Sequence, residues 1–293
     1  MTAQSWQRLR CAGRLELAAL NLAQATPRRV QEDLLAAILR REATSRFGVA
    51  HGFASIGDVE TFRARVPVAD YEYYRPWIDS IAQGERDALT ATEPVCFEQT
   101  GGSSGGRKLI PYTAAGLEGF RRSVLAWMGD LIDGDPAIAD GRAYFAISPS
   151  TRAARRMEGG LPVGLASDAA YFGEDLIADV AAIMTGAEAL SGIADFDAWQ
   201  QATLAWLAAT ADLTLISVWS PTFFTTLLDA LERDPEPALK ALRDGNHGLP
   251  ALPDRSIALA GSLASGRLDA ARLWPQLRLV SAWADSGSAR FAV

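Results

Sequence analysis

The segment Glu98-Gln99-Thr100-Gly101-Gly102-Ser103-Ser104-Gly105-Gly106-Arg107-Lys108-Leu109-Ile110-Pro111-Tyr112-Thr113 sets a glycine-rich connection between an apolar run and a helical pattern. Gly101 to Arg107 holds four glycines and two serines. Without Cβ atoms in the way, successive N–H groups there can turn toward one point and cradle an anion. Thr100, Ser103 and Ser104 add hydroxyl donors, and Lys108 adds a mobile cation, which together suit a polyphosphate. Composition alone would equally describe a flexible linker. The surroundings favour a site: Pro94-Val95-Cys96-Phe97 reads as a strand and a helix begins near Thr113, where α/β proteins place ligands. A P-loop is excluded. Gly101 and Gly106 have its spacing, but Leu109 stands where the metal-binding hydroxyl would follow the lysine, and Pro111 keeps a helix from starting at once.

Outward from this segment, the chain of 293 residues is 49% apolar and 22% charged, a globular composition able to bury a substantial core. A net charge of -7 argues against nucleic acid as partner, since backbone phosphates need a concentrated basic face. Arg152, Arg155 and Arg156 are a local exception and read as a solvated loop. Cys11 and Cys96 lack metal-ligand spacing, and the N-terminus has no secretory apolar core, so the expected address is the cytoplasm. No apolar run reaches the roughly 20 residues of a membrane span.

Residues 5–25 have helical composition, and Thr26-Pro27 offers a cap and first-turn proline to a second helix with Val30, Leu34, Leu35 and Ile38 on one face. Ala43 to Gly52 is turn-rich, and the single His51 in it reads as structural. A short helix is expected from Ser55 to Arg65, and Asp70 is placed to cap a helix from Tyr71 toward Gly84. Tyr71, Tyr73, Tyr74 and Trp77 are expected to pack in the core. After the loop, Leu117, Phe120, Val124, Leu125, Met128 and Leu131 mark an amphipathic helix over 113–133. Strands are predicted at 143–148, 213–219 and 277–283, and helices at 175–184, 195–209, after Ser220-Pro221, at 238–243 and at 257–263. Residues 149–168 read as a long functional loop. Alternating strands and helices make the fold class α/β.

An ordered set of segments carries a resemblance. Beside the loop stand Phe62-Arg63-Ala64-Arg65-Val66-Pro67-Val68-Ala69-Asp70-Tyr71-Glu72, Gly84-Glu85, Tyr171-Phe172, Trp219-Ser220-Pro221 and Leu273-Trp274-Pro275-Gln276-Leu277. In these the chain resembles the auxin-responsive Gretchen Hagen family of acyl acid amido synthetases and its bacterial relatives, within the acyl-adenylate-forming superfamily. The resemblance implies the N-terminal part of that fold, a mixed sheet flanked by helices with a helical N-terminal segment. It divides the chain into a mostly helical lead-in, 1–90, and a nucleotide- and acyl-binding α/β part, 91–293, with a C-terminal domain and the main catalytic motifs expected beyond Val293.

The implied activity is ligation: ATP with Mg2+ converts a carboxylic acid to an acyl-adenylate, and the acyl group passes to an amine, typically of an amino acid. By the same resemblance Thr100, Gly101, Gly102, Ser103, Ser104, Gly105, Gly106 and Lys108 hold the nucleotide, and Trp127, Tyr171, Trp219 and Phe224 are candidates for contact with the acid. No metal ligand is assigned. Partners are then small molecules, with neither nucleic acid nor membrane. The alternative is a non-catalytic module that binds phosphates or a partner protein.

Overall fold

A computed structural model describes residues 2–100, 108–146, 155–165, 168–285 and 289–290. In chain order the elements are α1 (Thr2–Gln24), α2 (Pro27–Arg41), α3 (Arg46–Ala50), α4 (Val59–Arg65), α5 (Tyr71–Ala82), β1 (Pro94–Gln99), β2 (Leu109–Thr113), α6 (Ala114–Gly134) and β3 (Arg142–Ala146). They continue with β4 (Arg155–Arg156), β5 (Pro162–Val163), α7 (Ile177–Ile183), α8 (Ala187–Ser191), α9 (Phe196–Ala209), β6 (Leu213–Val218), α10 (Pro221–Arg233), α11 (Glu236–Asp244), α12 (Pro253–Ser262), α13 (Ala270–Leu273) and β7 (Leu279–Ser281). The fold is mixed α/β, as expected for the N-terminal part of an acyl acid amido synthetase. Chain contacts define two units. One comprises Glu16–Ser123 with Ala154–Leu165, the other Met1–Leu15, Val124–Ala153 and Ala166–Val293.

The first unit is built on a sheet of order β2-β1-β5-β4. β1 and β2 pair antiparallel, with Gln99 opposite Leu109 and Phe97 opposite Pro111. β5 joins the other side of β1 in parallel through Phe97 and Val163, and β4 pairs antiparallel with β5. Within the long loop expected over 149–168, residues 155–156 and 162–163 therefore form strands of this sheet, and residues 149–154 and 166–167 fall outside those described. Two-residue strands are too short to show a period, which is why they escape a sequence pattern. Arg155 and Arg156 are exposed on β4, and Arg152 is not among the described residues. Against the sheet α5 sets Ile78, Ile81 and Ala82 beside Phe97 and Val163. Complete burial of a side chain such as Phe97 contributes roughly 1.5–3 kcal/mol.

Leu39, Phe47, Phe53 and Ile56 form a second cluster, with Tyr74 and Trp77 packed on it. Helix α2 buries its expected face only in part: Leu35 and Ile38 are half-buried, Leu35 against this cluster. Leu39 is buried, whereas Val30 and Leu34 are 39% and 58% exposed, and Thr26 makes no side-chain cap bond. The turn-rich passage contains α3, capped by Ser45, whose hydroxyl accepts from Gly48 N–H at 2.9 Å and donates to Glu42 C=O at 2.8 Å. His51 ends that helix and stacks on Phe47, its ring nitrogens 2.8 Å from Phe47 O and 2.9 Å from Tyr73 Oη. This is the structural role expected of it. The aromatic cluster on α5 divides accordingly, because Tyr73 is 40% exposed beside His51 rather than in the core.

In the second unit β3, β6 and β7 form a parallel sheet in that order. Alternation along β3 separates its faces. Ala143 and Phe145 join Leu215 in a cluster with Trp6, Leu9, Leu125, Met128 and Val180, from α1, α6 and α7. Tyr144 and Ala146 join Ile216 and Val218 in the opposite cluster, with Leu207 of α9, Leu227 of α10, Leu242 of α11 and Leu259 of α12. A parallel sheet covered on both faces explains why β6 is buried almost throughout, Thr214 included. The final strand is three residues long rather than 277–283, and α8 and α13 are additions to the expected helices.

Candidate functional site

The glycine-rich connection joins the ends of a hairpin. Thr100 N–H donates to Lys108 C=O at 2.9 Å, so the chain leaves and re-enters the sheet at one bonded pair. Gly101, Gly102, Ser103, Ser104, Gly105 and Gly106, with Arg107, lie outside the described residues, whereas Thr100 and Lys108 are within them. Pro111, which rules out an immediate helix, sits in strand β2.

The base of the hairpin is anchored on both sides. Phe97 and Cys96 of β1 are fully buried, and burial, with Glu98 nearby, pushes the Cys96 thiol up to about 11. On the other side Asp70 caps α5 by accepting from Tyr73 N–H at 3.2 Å, which fixes Tyr71 at the first turn. The Tyr71 hydroxyl accepts from Leu109 N–H at 2.9 Å and donates to Leu109 C=O at 3.1 Å. Two cations face its ring: Lys108 Nζ lies 5.5 Å and Arg75 Cζ 5.3 Å from the centroid, a cation–π arrangement. Glu72 grips Arg75 through two bonds of 2.6 Å. Those bonds, aided by the Lys108 charge, hold the Glu72 carboxyl below its ordinary range.

A hydroxyl at Thr100 and an ammonium at Lys108, flanking four glycines and two serines, fit a polyphosphate by the chemistry of the donors. Magnesium is different. Among the described residues no three His, Cys, Asp or Glu side chains converge to hold a metal, and no magnesium ligand is assigned. A recess of about 250 Å³ in the same unit, lined in part by Glu85, Arg86, Asp87, Glu93 and Gly159, contains none of the predicted site residues.

The acid-contact candidates all belong to the second unit, and its sheet separates two of them. Trp127 packs on the cluster of Phe145 and Leu215, whereas Phe224 packs on the opposite one. Tyr171 is 7% exposed, on a short 3₁₀ turn, Asp168–Phe172. Trp219 follows β6 directly and is 48% exposed. Trp283, not singled out in the sequence, stands two residues beyond β7, with ring centroids 5.9 Å apart and Trp283 N–H donating to Trp219 C=O at 3.3 Å. The signal that could have found it is a tryptophan just past each of two adjacent parallel strands, the end of such a sheet where ligands bind. Among the described residues no helix is long and apolar enough to cross a membrane.

A family profile described as the GH3 family N-terminal domain matches residues 16–291. GH3.10 of Oryza sativa subsp. japonica is 42% identical over 100 residues, 33% of this chain and 20% of that protein. Indole-3-acetic acid-amido synthetase GH3.8 of Oryza sativa subsp. indica is 39% identical over 84 residues, 28% of this chain and 14% of that one. A solved structure of AtGH3.15 acyl acid amido synthetase in complex with 2,4-DB shares the fold, with a TM-score of 0.74 at 20% identity over 94% of this chain and 52% of that one. A second GH3.15 acyl acid amido synthetase structure gives 0.75 at 18% identity. The chain thus spans about half the length of these solved relatives. With the profile covering all but its two ends, the chain belongs to the GH3 family, of which it carries the N-terminal domain.

Proposed function

We propose that this chain is the nucleotide- and acid-binding part of an ATP-dependent ligase that activates a carboxylic acid as an acyl-adenylate for transfer to an amine, such as that of an amino acid. The observation that carries this is the hairpin closed between Thr100 and Lys108 around a glycine- and serine-rich connection. A free carboxylate is a poor electrophile, and ATP supplies the adenylate that makes its departing oxygen a good leaving group. The chain's own contribution is orientation and charge: amides of Gly101 to Gly106 and the hydroxyls of Thr100, Ser103 and Ser104 would hold phosphate oxygens, and Lys108 would offset their charge. Trp219 and Phe224, with Trp127 and Tyr171, are the proposed apolar contacts of the acid. Magnesium accompanies the nucleotide, with no ligand drawn from the described residues. The proposed location is the cytoplasm, in keeping with two free thiols, Cys11 and Cys96.

Calorimetric titration with ATP and magnesium tests the nucleotide site. Binding by the wild-type chain that weakens by about tenfold or more in Lys108→Ala is expected, because a charge-assisted contact to phosphate is lost. No binding, or equal binding by the variant, would remove Lys108 from the site. Pyrophosphate exchange into ATP, screened against a panel of aromatic and aliphatic acids, separates the ligase from a non-catalytic phosphate-binding module.

A further inference from the structure

Strand β2 lies at the margin of its sheet, paired with β1 alone. Since Thr100 N–H bonds to Lys108 C=O, antiparallel alternation turns both peptide groups of the next residue, Leu109, away from β1. The Tyr71 hydroxyl takes both, at 2.9 Å from the nitrogen and 3.1 Å from the oxygen. One side chain stands where a neighbouring strand's peptide would. Its ring also faces the Lys108 ammonium, and among the described residues Lys108 makes no ion pair within 4.0 Å, whereas Arg75 on the same ring is held by Glu72.

We propose that Tyr71 is the positioning residue of the phosphate-binding lysine. Its hydroxyl fixes the strand from which Lys108 springs, and its ring restrains the ammonium before a nucleoside triphosphate arrives. A lysine already confined loses less rotamer freedom on meeting phosphate, so the gain appears as affinity. This rests on the phosphate-binding reading of the loop.

The test compares the wild-type chain, Tyr71→Phe, Tyr71→Leu, Lys108→Ala and the double variant Tyr71→Phe/Lys108→Ala. Two quantities are read: amide hydrogen exchange at Leu109 without nucleotide, and the dissociation constant for ATP with magnesium. Tyr71→Phe keeps the ring and loses both hydroxyl bonds. Exchange at Leu109 is expected to quicken about tenfold, with Phe97 and Glu98 little changed, and ATP binding to weaken about three- to tenfold. Tyr71→Leu is expected to weaken it further by removing the cation–π contact. If the tyrosine acts through the lysine, the double variant binds like Lys108→Ala alone, to within about twofold.

Factors that multiply in the double variant would overturn the proposal, as would unchanged exchange at Leu109 in Tyr71→Phe. Wild-type binding that is weakened by Lys108→Ala but untouched by Tyr71→Phe overturns it while sparing the nucleotide site. No ATP binding by the wild-type chain overturns the nucleotide site and this proposal with it.

Discussion

Gly13 of α1 and Gly129 of α6 meet backbone to backbone: a Cβ added to Gly129 would stand 2.5 Å from the Gly13 carbonyl carbon. The helices cross closer than any side chain permits. Gly129→Ala forces them apart and is expected to destabilise the protein by about 2 kcal/mol. Gly119, mid-helix in the same α6, has nothing within 4 Å of its added Cβ, and Gly119→Ala should stabilise by about 0.5–1 kcal/mol through helix propensity. Urea midpoints that move in opposite directions for the two variants would bear this out, and parallel shifts would refute it.

The two cysteines should differ sharply in reactivity. Cys11 is exposed and Cys96 buried, with the Cys96 pKa raised from 9.0 to about 11. One thiol is expected to react with iodoacetamide at pH 8 in the folded protein and two in denaturant, since the thiolate is the nucleophile. The same shift sets a pH dependence. Between about 9 and about 11 the folded thiol keeps a proton that the unfolded one has released, so stability falls as pH rises through that window. Cys96→Ala should flatten that slope, as chemical denaturation at several pH values would show.

Helix α9 ends under two side chains from later in the sequence. Arg255 Nε donates to Ala208 C=O at 2.8 Å while its Nη2 donates to Leu273 C=O at 3.0 Å, and Trp274 Nε1 donates to Leu207 C=O at 2.8 Å. The Ala208 and Leu207 carbonyls lie in the last turn of α9, where no i+4 donor within the helix is available, and Leu207 also accepts from Thr210 N–H at 3.3 Å. Burial lowers the Arg255 pKa below the ordinary guanidinium value. Arg255→Met is expected to cost about 2–3 kcal/mol and Trp274→Phe about 1 kcal/mol. Equilibrium unfolding of both single variants and the double variant measures the costs and their coupling.

Exposure separates Trp219 from Tyr171 among the acid-contact candidates. Trp219→Ala, at a position 48% exposed, should leave stability within about 1 kcal/mol while altering which acid drives pyrophosphate exchange. Tyr171→Ala, at a position 7% exposed, should cost about 3 kcal/mol or more, because it empties a packed site. Thermal melting and the acid panel, applied to both, decide between pocket and core; a strongly destabilised Trp219→Ala would count against its place in the pocket.

What could be read from the sequence follows the physics of each segment. The long periodic helix α6 and the apolar run of β6 were legible because each repeats its signal over many residues. Caps were legible where a single residue settles them: Asp70 and the proline opening α10 sit as expected, although Ser220 spends its hydroxyl on Thr222 instead of the helix. Of the face that spacing assigns to α2, Leu35 and Ile38 are half-buried but Val30 and Leu34 are exposed, since spacing marks a buried face only where something covers it, and much of this helix is exposed. The strands of two residues, β4 and β5, gain their identity from β1, more than fifty positions earlier, and no local pattern carries that information.

The site divides in the same way. A lysine at the exit of a glycine loop is visible as a motif, but its tyrosine neighbour is not. Tyr71 precedes Leu109 by 38 positions and reads simply as one more aromatic residue of α5. Trp283 gains meaning only once β7 is seen beside β6.

The hydroxyl bridge at Leu109 has a bearing on solubility. A sheet margin normally offers amide donors to any passing strand and so invites end-on growth into aggregates. Here the outward N–H of Leu109 is occupied and the next position of like parity, Pro111, has none to give. A foreign chain approaching that flank would find two successive donor rungs of the ladder missing, so the hairpin closed between Thr100 and Lys108 is also protected from unwanted docking.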